Sequence, residues 1–348
     1  MKRMVLDVTS LLILVVVFDG QPTARGVESL PPITALAVAP SGKEVVAGSQ
    51  AGLELRRIPH VSATLSQTIP HVDPAVPSQT IPQFDLVRKL LTELEHIHDV
   101  KFSPDGNLLA VVGGSPSQHG AVELYRWPDA TLHSRRELHK DLNYSIAWHA
   151  DSKSFAVASS DTCVSLCDIN QEAPLRVIEG HSRSVLALAF LPGEYGLASG
   201  GVDESIRLWE PATGKLLRSL SNHTKSVTGL AVRPGDWPGP PTLASIGFDN
   251  TVRLWQPTIG RLMRFTRLSS PALDVGWLHD GSLIVVTCKD GKLRVIDPDS
   301  MEVLEEIPAI EGIAYCLAVL PNGKVAVGGQ FGQLTLQYPA MLSRRKTN

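Results

Sequence analysis

The sequence has little of what marks most enzymes and nucleic-acid-binding proteins. Lys and Arg number 32 against 35 Asp and Glu, so the formal net charge is −3 and no basic excess exists to hold a phosphate backbone. Four Cys in 348 residues are too few for a disulfide scaffold or a metal cluster. No G-x-S-x-G elbow, P-loop, HExxH or CxxCH motif occurs. The sequence therefore predicts no catalytic residue, no cofactor, no metal and no nucleic-acid partner.

Turn-forming and apolar residues are abundant instead. Gly numbers 28 and Pro 25, while 43% of residues are hydrophobic and only 19% are charged. A chain with many turn formers and a sizeable apolar core favours many short strands joined by tight turns. One large repeat array therefore fits the length better than two ordinary domains.

The amino terminus has the layout of a secretory signal. Lys2 and Arg3 precede an apolar run over 9–18, which is about half of the ~20 residues that span a bilayer as a helix. We therefore expect residues 1–21 to be a signal peptide and the protein to be exported, to the periplasm or the cell exterior. A buried leading strand in a cytoplasmic protein is the alternative, because no Ala-x-Ala cleavage site follows. The rest of the chain has no apolar run of membrane length.

A unit of about 42 residues recurs seven times. Each unit has an apolar strand, a Pro or Asp-Gly turn, a second strand, a turn Asp and a third strand, and 184–210 shows it most clearly. The first turns are separated by 64, 45, 43, 42, 45 and 42 residues. Their positions are Pro40, Pro104, His149, Pro192, Pro234, His279 and Pro321. Polar and apolar residues alternate within the strands, which predicts half-buried strands that stack radially.

The one long spacing indicates an insertion in the first unit, at about 60–85. The residues at 66–70 recur at 78–82, which is a 12-residue tandem duplication, and five Pro between 59 and 82 disfavour sheet pairing. We interpret the insertion as a protruding loop. A Pro-rich docking segment is the alternative, although no Pro-x-x-Pro run with basic flanks supports it. Either 63–69 or 86–91 supplies the outer strand of the first unit.

These units resemble the WD40 family from about residue 30 to 339. The resemblance is strongest where Gly180-His181 and Asn222-His223 open a unit and Leu-Trp ends its third strand. It implies an all-β, seven-bladed propeller over 27–339 with four-stranded antiparallel blades, closed by an N-terminal strand at 27–30, and a basic tail at 340–348. It also implies two buried hydrogen-bonded tetrads: His181, Ser199, Asp203 and Trp209, and His223, Ser245, Asp249 and Trp255.

The other units depart from the tetrad pattern. Unit three keeps His139 and Asp161 at the same spacing of 22 but places Val157 and Cys167 where Ser and Trp belong. Unit six keeps the turn Asp and has apolar residues at the His and Trp positions: Asp290, Leu268 and Ile296. Units one, two and seven lack most of the tetrad, so we expect those blades to depend on apolar packing.

The resemblance implies that partners bind the top face, which the loops before the first strand and between the second and third strands form. Alignment of the first strands gives one ring residue per unit: Thr34, His98, Tyr144, Leu186, Thr228, Leu273 and Tyr315. The neighbouring loops add Ser160, Val202, Phe248 and Lys289, and also Arg183 and Lys225. An aromatic and cationic mixture favours binding. We expect the contact residues to be His98, Tyr144, Arg183, Lys225, Phe248, Lys289 and Tyr315.

Three functional hypotheses follow. The first is a non-catalytic scaffold, monomeric by itself, that binds a protein partner through the top face. The second is a propeller enzyme or small-ligand or cofactor-binding propeller, lactonase-like or quinoprotein-like, which needs carboxylates or His at the channel, where only His98 and the two Tyr are evident. The third is an exported partner of a redox or cell-surface assembly. Export would also allow a Cys288–Cys316 disulfide, and Cys163 with Cys167 fits buried thiols better than a metal pair.

Overall fold

A computed structural model describes residues 30–59, 83–193, 195–235 and 240–340. The chain divides into an N-terminal unit, Met1–Leu30, and a second unit, Pro31–Asn348, which contains every described strand. The predicted signal peptide, most of the closing segment 27–30, most of the insertion at 60–85 and nearly all of the tail at 340–348 lie outside the described residues. The structural expectations for these four segments therefore stay predictions.

The second unit is a seven-bladed β-propeller. Each blade is an antiparallel sheet in which the strands follow chain order from a first, inner strand to an outer strand. The described strands, separated by blade, are β1 (Ile33–Val38), β2 (Glu44–Ser49), β3 (Gly52–Arg57) and β4 (Asp85–Leu90); β5 (His96–Phe102), β6 (Leu108–Ser115), β7 (His119–Arg126) and β8 (Thr131–His139); β9 (Asn143–Trp148), β10 (Ser154–Ser159), β11 (Val164–Asp168) and β12 (Arg176–Ile178); β13 (Val185–Phe190), β14 (Leu197–Gly201), β15 (Ile206–Glu210) and β16 (Lys215–Leu220); β17 (Val227–Val232), β18 (Leu243–Gly247), β19 (Thr251–Gln256) and β20 (Arg261–Arg267); β21 (Ala272–Trp277), β22 (Ile284–Cys288), β23 (Lys292–Ile296) and β24 (Val303–Pro308); β25 (Ala314–Val319), β26 (Val325–Gly329) and β27 (Leu334–Gln337).

The first strands form the ring. Each first strand contacts the first strand of the next blade, and β25 contacts β1, so blade seven meets blade one. The outer strand of blade one is Asp85–Leu90, which decides between the two segments that the sequence left open in favour of the later one. Blade seven has three strands within the described residues, and its expected fourth strand at 27–30 lies outside them apart from Leu30.

The core lies between the blades. The second strands are buried along nearly their whole length rather than half-buried as the sequence predicted, because successive side chains point to opposite faces and a neighbouring blade covers each face. One buried cluster joins Val122 and Leu124 of blade two to Ile146 and Phe155 of blade three. Burial of one such side chain contributes about 1.5–3 kcal/mol, so stability comes from neighbouring blades together rather than from single sheets.

The turns between first and second strands share one backbone feature. In six blades a Gly with positive φ occupies the turn, for example Gly42 at φ 67°, and this left-handed conformation costs Gly no steric penalty. Blade three has Ser152 at φ 57° in the same place. The recurring Pro and Gly residues in the sequence are therefore explained by the sharp reversal at the end of each first strand.

Candidate functional site

The two predicted tetrads come together inside blades four and five. In blade four, Nδ1 of His181 lies 3.0 Å from the Asp203 carboxylate, and Nε2 lies 2.7 Å from Ser199 Oγ. The Trp209 indole donates to the same Oγ at 2.8 Å. Since a carboxylate only accepts, Nδ1 carries a proton and donates it to Asp203.

Blade five repeats this geometry. His223 lies 3.0 Å from Asp249 and 2.7 Å from Ser245 Oγ, which accepts from Trp255 at 2.8 Å. Burial raises the pKa of Asp249, but hydrogen bonds from His223 and Thr251 outweigh it and hold that pKa well below the usual carboxyl value. The Asp203 carboxyl is shifted downward in the same way, by His181 and Ser205 against the effect of burial. The polar atoms of both tetrads are therefore engaged in structural hydrogen bonds.

The lowered pKa values of Asp203 and Asp249 predict that the stability of the fold decreases at acidic pH. Groups with a depressed folded pKa stabilise the fold fully above the unfolded value of about 3.9, and this contribution is lost as pH falls from there toward the folded pKa. Urea unfolding at pH 7, 5, 4 and 3 should therefore show a decline that begins near pH 4 for these two groups. The Asp203→Asn, Asp249→Asn double variant should be less stable at pH 7 and lose less between pH 4 and 3. An equal loss in both proteins would contradict the assignment.

Other blades replace the tetrad with different polar groups. In blade three, His139 contacts Asp161 at 3.0 Å, but its buried Nε2 has no hydrogen-bond partner, because Val157 stands in the Ser position. In blade six, Asp290 pairs with buried Arg294 at 2.6 Å, and Arg294 also contacts Glu306 at 2.8 Å.

Blade two, which was expected to depend more on apolar packing, contains a buried polar cluster as well. Its buried Glu123 accepts from Thr92 Oγ1 at 2.7 Å and from the Glu93 backbone N–H at 3.0 Å. Tyr125, in the Trp position, donates to Glu123 and to the Leu91 carbonyl. A buried carboxylate in a third strand thus takes the place of the His and Asp pair, as polar satisfaction in a core requires.

The seven ring residues share one structural position, which we call the bulge ring. In every blade the register between the first and second strands shifts at this residue, so it is the extra residue of a β-bulge and has no partner across the sheet. It lies near the start of the first strand, at the top end of the ring. The members are Thr34, His98, Tyr144, Leu186, Thr228, Leu273 and Tyr315.

Members of the bulge ring contact the next blade. The His98 and Tyr144 rings meet edge to face with centroids 4.9 Å apart, and Thr228 donates to the Ala272 carbonyl at 2.9 Å. Burial lowers the pKa of His98 to about 4 and raises the pKa of Tyr144 to about 12, so both are neutral at pH 7. His98 Nε2 is buried without a hydrogen-bond partner. Burial also raises the pKa of Tyr315. The ring thus presents neutral side chains, which are aromatic, aliphatic or hydroxyl-bearing.

In blades three to six, one hydrogen bond joins the two loops of the top face. The residue before the turn Asp donates its backbone N–H to the loop that precedes the first strand, as in Phe248 to Ser226 and Lys289 to Pro271, both at 2.9 Å. Phe248 therefore adjoins the loop that contains Lys225. Arg183, Lys225 and Lys289 are exposed, Phe248 and Ser160 are half-buried, and Val202 is buried.

Three charged residues next to the bulge ring escaped the sequence reasoning: Asp99, Lys101 and Asp274. Asp99 accepts backbone N–H bonds from Val100 at 2.9 Å and from Ile146 of the next blade at 3.0 Å. Asp274 repeats this, with Val275 at 2.8 Å and Leu317 at 2.9 Å. The repeated position of the two Asp in the aligned first strands is the signal that could have revealed them.

Lys101 lies between these carboxylates. Its Nζ is 3.6 Å from Asp99, and that charge, together with the more distant Asp274, raises the pKa of Lys101. Burial raises the pKa of Asp274, which the charge of Lys101 opposes. Carboxylates therefore do converge on the channel, contrary to the expectation from sequence. However, their oxygens accept hydrogen bonds that join blade two to blade three and blade six to blade seven.

A family comparison agrees with this architecture. The family described as "WD domain, G-beta repeat" matches residues 88–121, 172–210 and 214–256. The second and third of these ranges each contain one complete tetrad. The remaining units keep the same sheet order and the same bulge. The chain contains WD40 repeats in a seven-bladed propeller.

Several WD40 relatives share part of the chain. It is 35% identical over 88 residues to the U3 small nucleolar RNA-associated protein 15 homolog of Xenopus tropicalis, covering 25% of this chain and 17% of that protein. It is 27% identical over 137 residues to the COMPASS component SWD3 of Saccharomyces cerevisiae, covering 39% and 42%. It is 34% identical over 118 residues to the nuclear distribution protein PAC1 of Arthroderma otae, covering 33% and 26%. The matched part is thus less than half of each relative's length.

The relatives correct one expectation and support another. Their names refer to small nucleolar RNA and to nuclear distribution, so the expectation of an exported protein is wrong, and the hypothesis of an exported redox or cell-surface partner falls with it. One relative is named as an associated protein and another as a component of COMPASS. Such names favour the interaction scaffold over the propeller enzyme.

Three features were sought among the described residues: a metal cluster, a disulfide and a membrane-spanning helix. Within these ranges no group of three or more His, Cys, Asp or Glu side chains is placed to hold a metal ion. Cys163, Cys167, Cys288 and Cys316 are all free thiols, so the structure contains no Cys288–Cys316 disulfide. None of the helices in the described part is long and apolar enough to cross a membrane.

Proposed function

We propose that this WD40 propeller is a non-catalytic scaffold that binds a partner protein through its top face. The observation that carries the proposal is the bulge ring, which places one side chain per blade at the same end of the channel without using it for sheet pairing. His98, Tyr144 and Tyr315 supply aromatic surface there. Rigid aromatic groups lose little conformational entropy on binding and are enriched among the residues that dominate binding energy.

The charges near the ring indicate the partner's chemistry. Arg183, Lys225 and Lys289 belong to blades four, five and six, and all three are exposed. Lys225 and Lys289 have no ion-pair partner among the described residues. Phe248 adjoins Lys225 and is half-buried. A partner segment with acidic residues around an apolar anchor complements this side of the face, because matched charges accelerate association and an anchor supplies affinity.

A site for small-molecule chemistry at the channel is the second candidate, since Asp99, Lys101 and Asp274 lie there. The hydrogen bonds that Asp99 and Asp274 accept from backbone N–H groups favour a structural role for both. Metal analysis and an absorbance scan of the purified protein separate the two functions. Stoichiometric metal or a bound chromophore would reject the scaffold.

Partner capture tests the top face directly. Affinity purification with mass spectrometry should recover a partner with the unaltered chain, and the Tyr144→Ala, Tyr315→Ala double variant should reduce that recovery at least about tenfold, as loss of two binding hot spots implies. Tyr195→Ala is the matched control, since Tyr195 is exposed near the opposite end of blade four. Recovery by the double variant that equals the unaltered chain would disprove the top-face assignment.

A further inference from the structure

A cleft of about 420 Å³ opens between blade one and blade seven at the end of the propeller opposite the top face. Three segments line it: the turn between β1 and β2, the end of β3, and the turn between β25 and β26. This end holds none of the residues assigned above to partner binding. The lining residues that matter for its chemistry are Lys43, Glu44, Arg57, Ile58, Leu320 and Lys324.

The charge in this cleft is opposite to that of the whole protein. Lys43, Arg57 and Lys324 contribute three positive charges and Glu44 one negative charge, which leaves +2 in a chain of net −3. Glu44 and Arg57 are register partners on adjacent strands, yet they form no ion pair. Lys43 and Arg57 are exposed, and neither has an ion-pair partner among the described residues.

Lys324 is held in place without an opposing charge in the part of the chain that the structure describes. Its Nζ lies 3.3 Å from the Tyr338 hydroxyl and 4.4 Å from the centre of that ring. The ammonium is half-buried, and the loss of water around it lowers the pKa of Lys324. A positive group in this condition is stabilised by an anion that enters beside it.

The floor of the cleft is apolar and fixed. Ile58 and Leu320 are buried in one core cluster that joins blades one and seven. The Ile58 backbone N–H donates to the Lys43 carbonyl at 2.9 Å, and the Lys324 N–H donates to Asn322 Oδ1 at 3.1 Å. The backbones that carry the three cations are therefore held before any ligand arrives, which reduces the entropy lost on binding.

We propose that this cleft binds a phosphate monoester. A phosphate monoester carries nearly two negative charges at neutral pH, which matches the +2 of the lining, whereas a carboxylate carries one. The Arg57 guanidinium can hold two phosphate oxygens in its planar fork, and the two Lys add point charges.

Calorimetric titration of the full chain with phenyl phosphate, at pH 7.5 and low salt, tests the proposal. We expect saturable binding to one site, weakened at least about tenfold by Arg57→Gln and by Lys324→Gln, since each removes a charged hydrogen bond. Glu44→Gln should instead tighten binding, because it removes the carboxylate that repels the ligand. Benzoate should bind more weakly than phenyl phosphate.

Lys215→Gln is the control, because it makes the same charge change at an exposed residue on the outer strand of blade four and should leave phenyl phosphate binding unchanged. Absence of saturable binding up to about 10 mM, which corresponds to less than about 3 kcal/mol of binding free energy, would overturn the proposal. An equal loss in Lys215→Gln, or no gain in Glu44→Gln, would overturn it as well. Tighter binding of a phosphotyrosine peptide than of phenyl phosphate would identify a phosphorylated side chain as the ligand of the cleft. Equal affinities would identify a small phosphate ester as the ligand.

Discussion

Replacement of Asp249 by Ala is expected to lower the free energy of unfolding by about 3–5 kcal/mol, because it leaves several buried polar groups without their acceptor. The carboxylate accepts from His223 Nδ1, from Thr251 Oγ1 at 2.7 Å, and from the Thr224 and Thr251 backbone N–H groups. Arg253 lies 3.5 Å away. Urea unfolding at pH 7, followed by tryptophan fluorescence and by circular dichroism, measures the change.

The matched control is Asp299→Ala. The Asp299 side chain is 82% exposed and its ion pair with Arg264 is 3.8 Å long, so we expect a change within about 0.5 kcal/mol. A loss below 1 kcal/mol for Asp249→Ala, with the control unchanged, would mean that water replaces the tetrad at no cost and would contradict its structural role.

Arg294→Ala is expected to cost about 3 kcal/mol. The Arg294 side chain is fully buried, and it bonds Asp290 with both terminal nitrogens, Glu306 through Nε and Ser269 at 2.8 Å. The change leaves a cavity and separates two carboxylates from their cation. Asp290 and Glu306 are 31% and 38% exposed, so water recovers part of the loss and the effect lies at the lower end for a broken buried pair.

Arg294→Lys separates charge from geometry. It keeps the positive charge but has no planar fork, so we expect a loss between those of the unaltered chain and Arg294→Ala. Arg264→Ala serves as the exposed Arg control, with an expected change within about 0.5 kcal/mol. If Arg294→Lys is as stable as the unaltered chain, the fork has no role in blade six.

Features that repeat along the chain were accessible from sequence. The seven turn positions, the two complete tetrads and the bulge ring all follow from residues at fixed spacing, because the same backbone geometry recurs in each blade. The interpretation of the amino terminus as an export signal rested on a single short pattern, and the relatives overturned it. A pattern that occurs once carries far less information than one that occurs seven times.

Features that depend on contacts between blades were not accessible. Asp99 and Asp274 look like ordinary strand residues until the sheet register places them beside the backbone of the next blade. Glu123 and Arg294 occupy one third-strand position but carry opposite charges, so their partners differ. The recurring spacing of Asp and Arg four residues apart, at 203 and 207, 249 and 253, and 290 and 294, does identify Arg294 in retrospect.

The bulge ring has a consequence for how such a surface diversifies. A substitution at a laddered strand position must suit a cross-strand neighbour, whereas each ring residue stands outside the pairing between its first and second strands. Side chains as different as Thr, His, Tyr and Leu already occupy it within this one molecule. A library randomised at these seven sites should therefore retain folding in most of its members while sampling new specificities, which makes the ring a natural place to redirect the propeller to a chosen target.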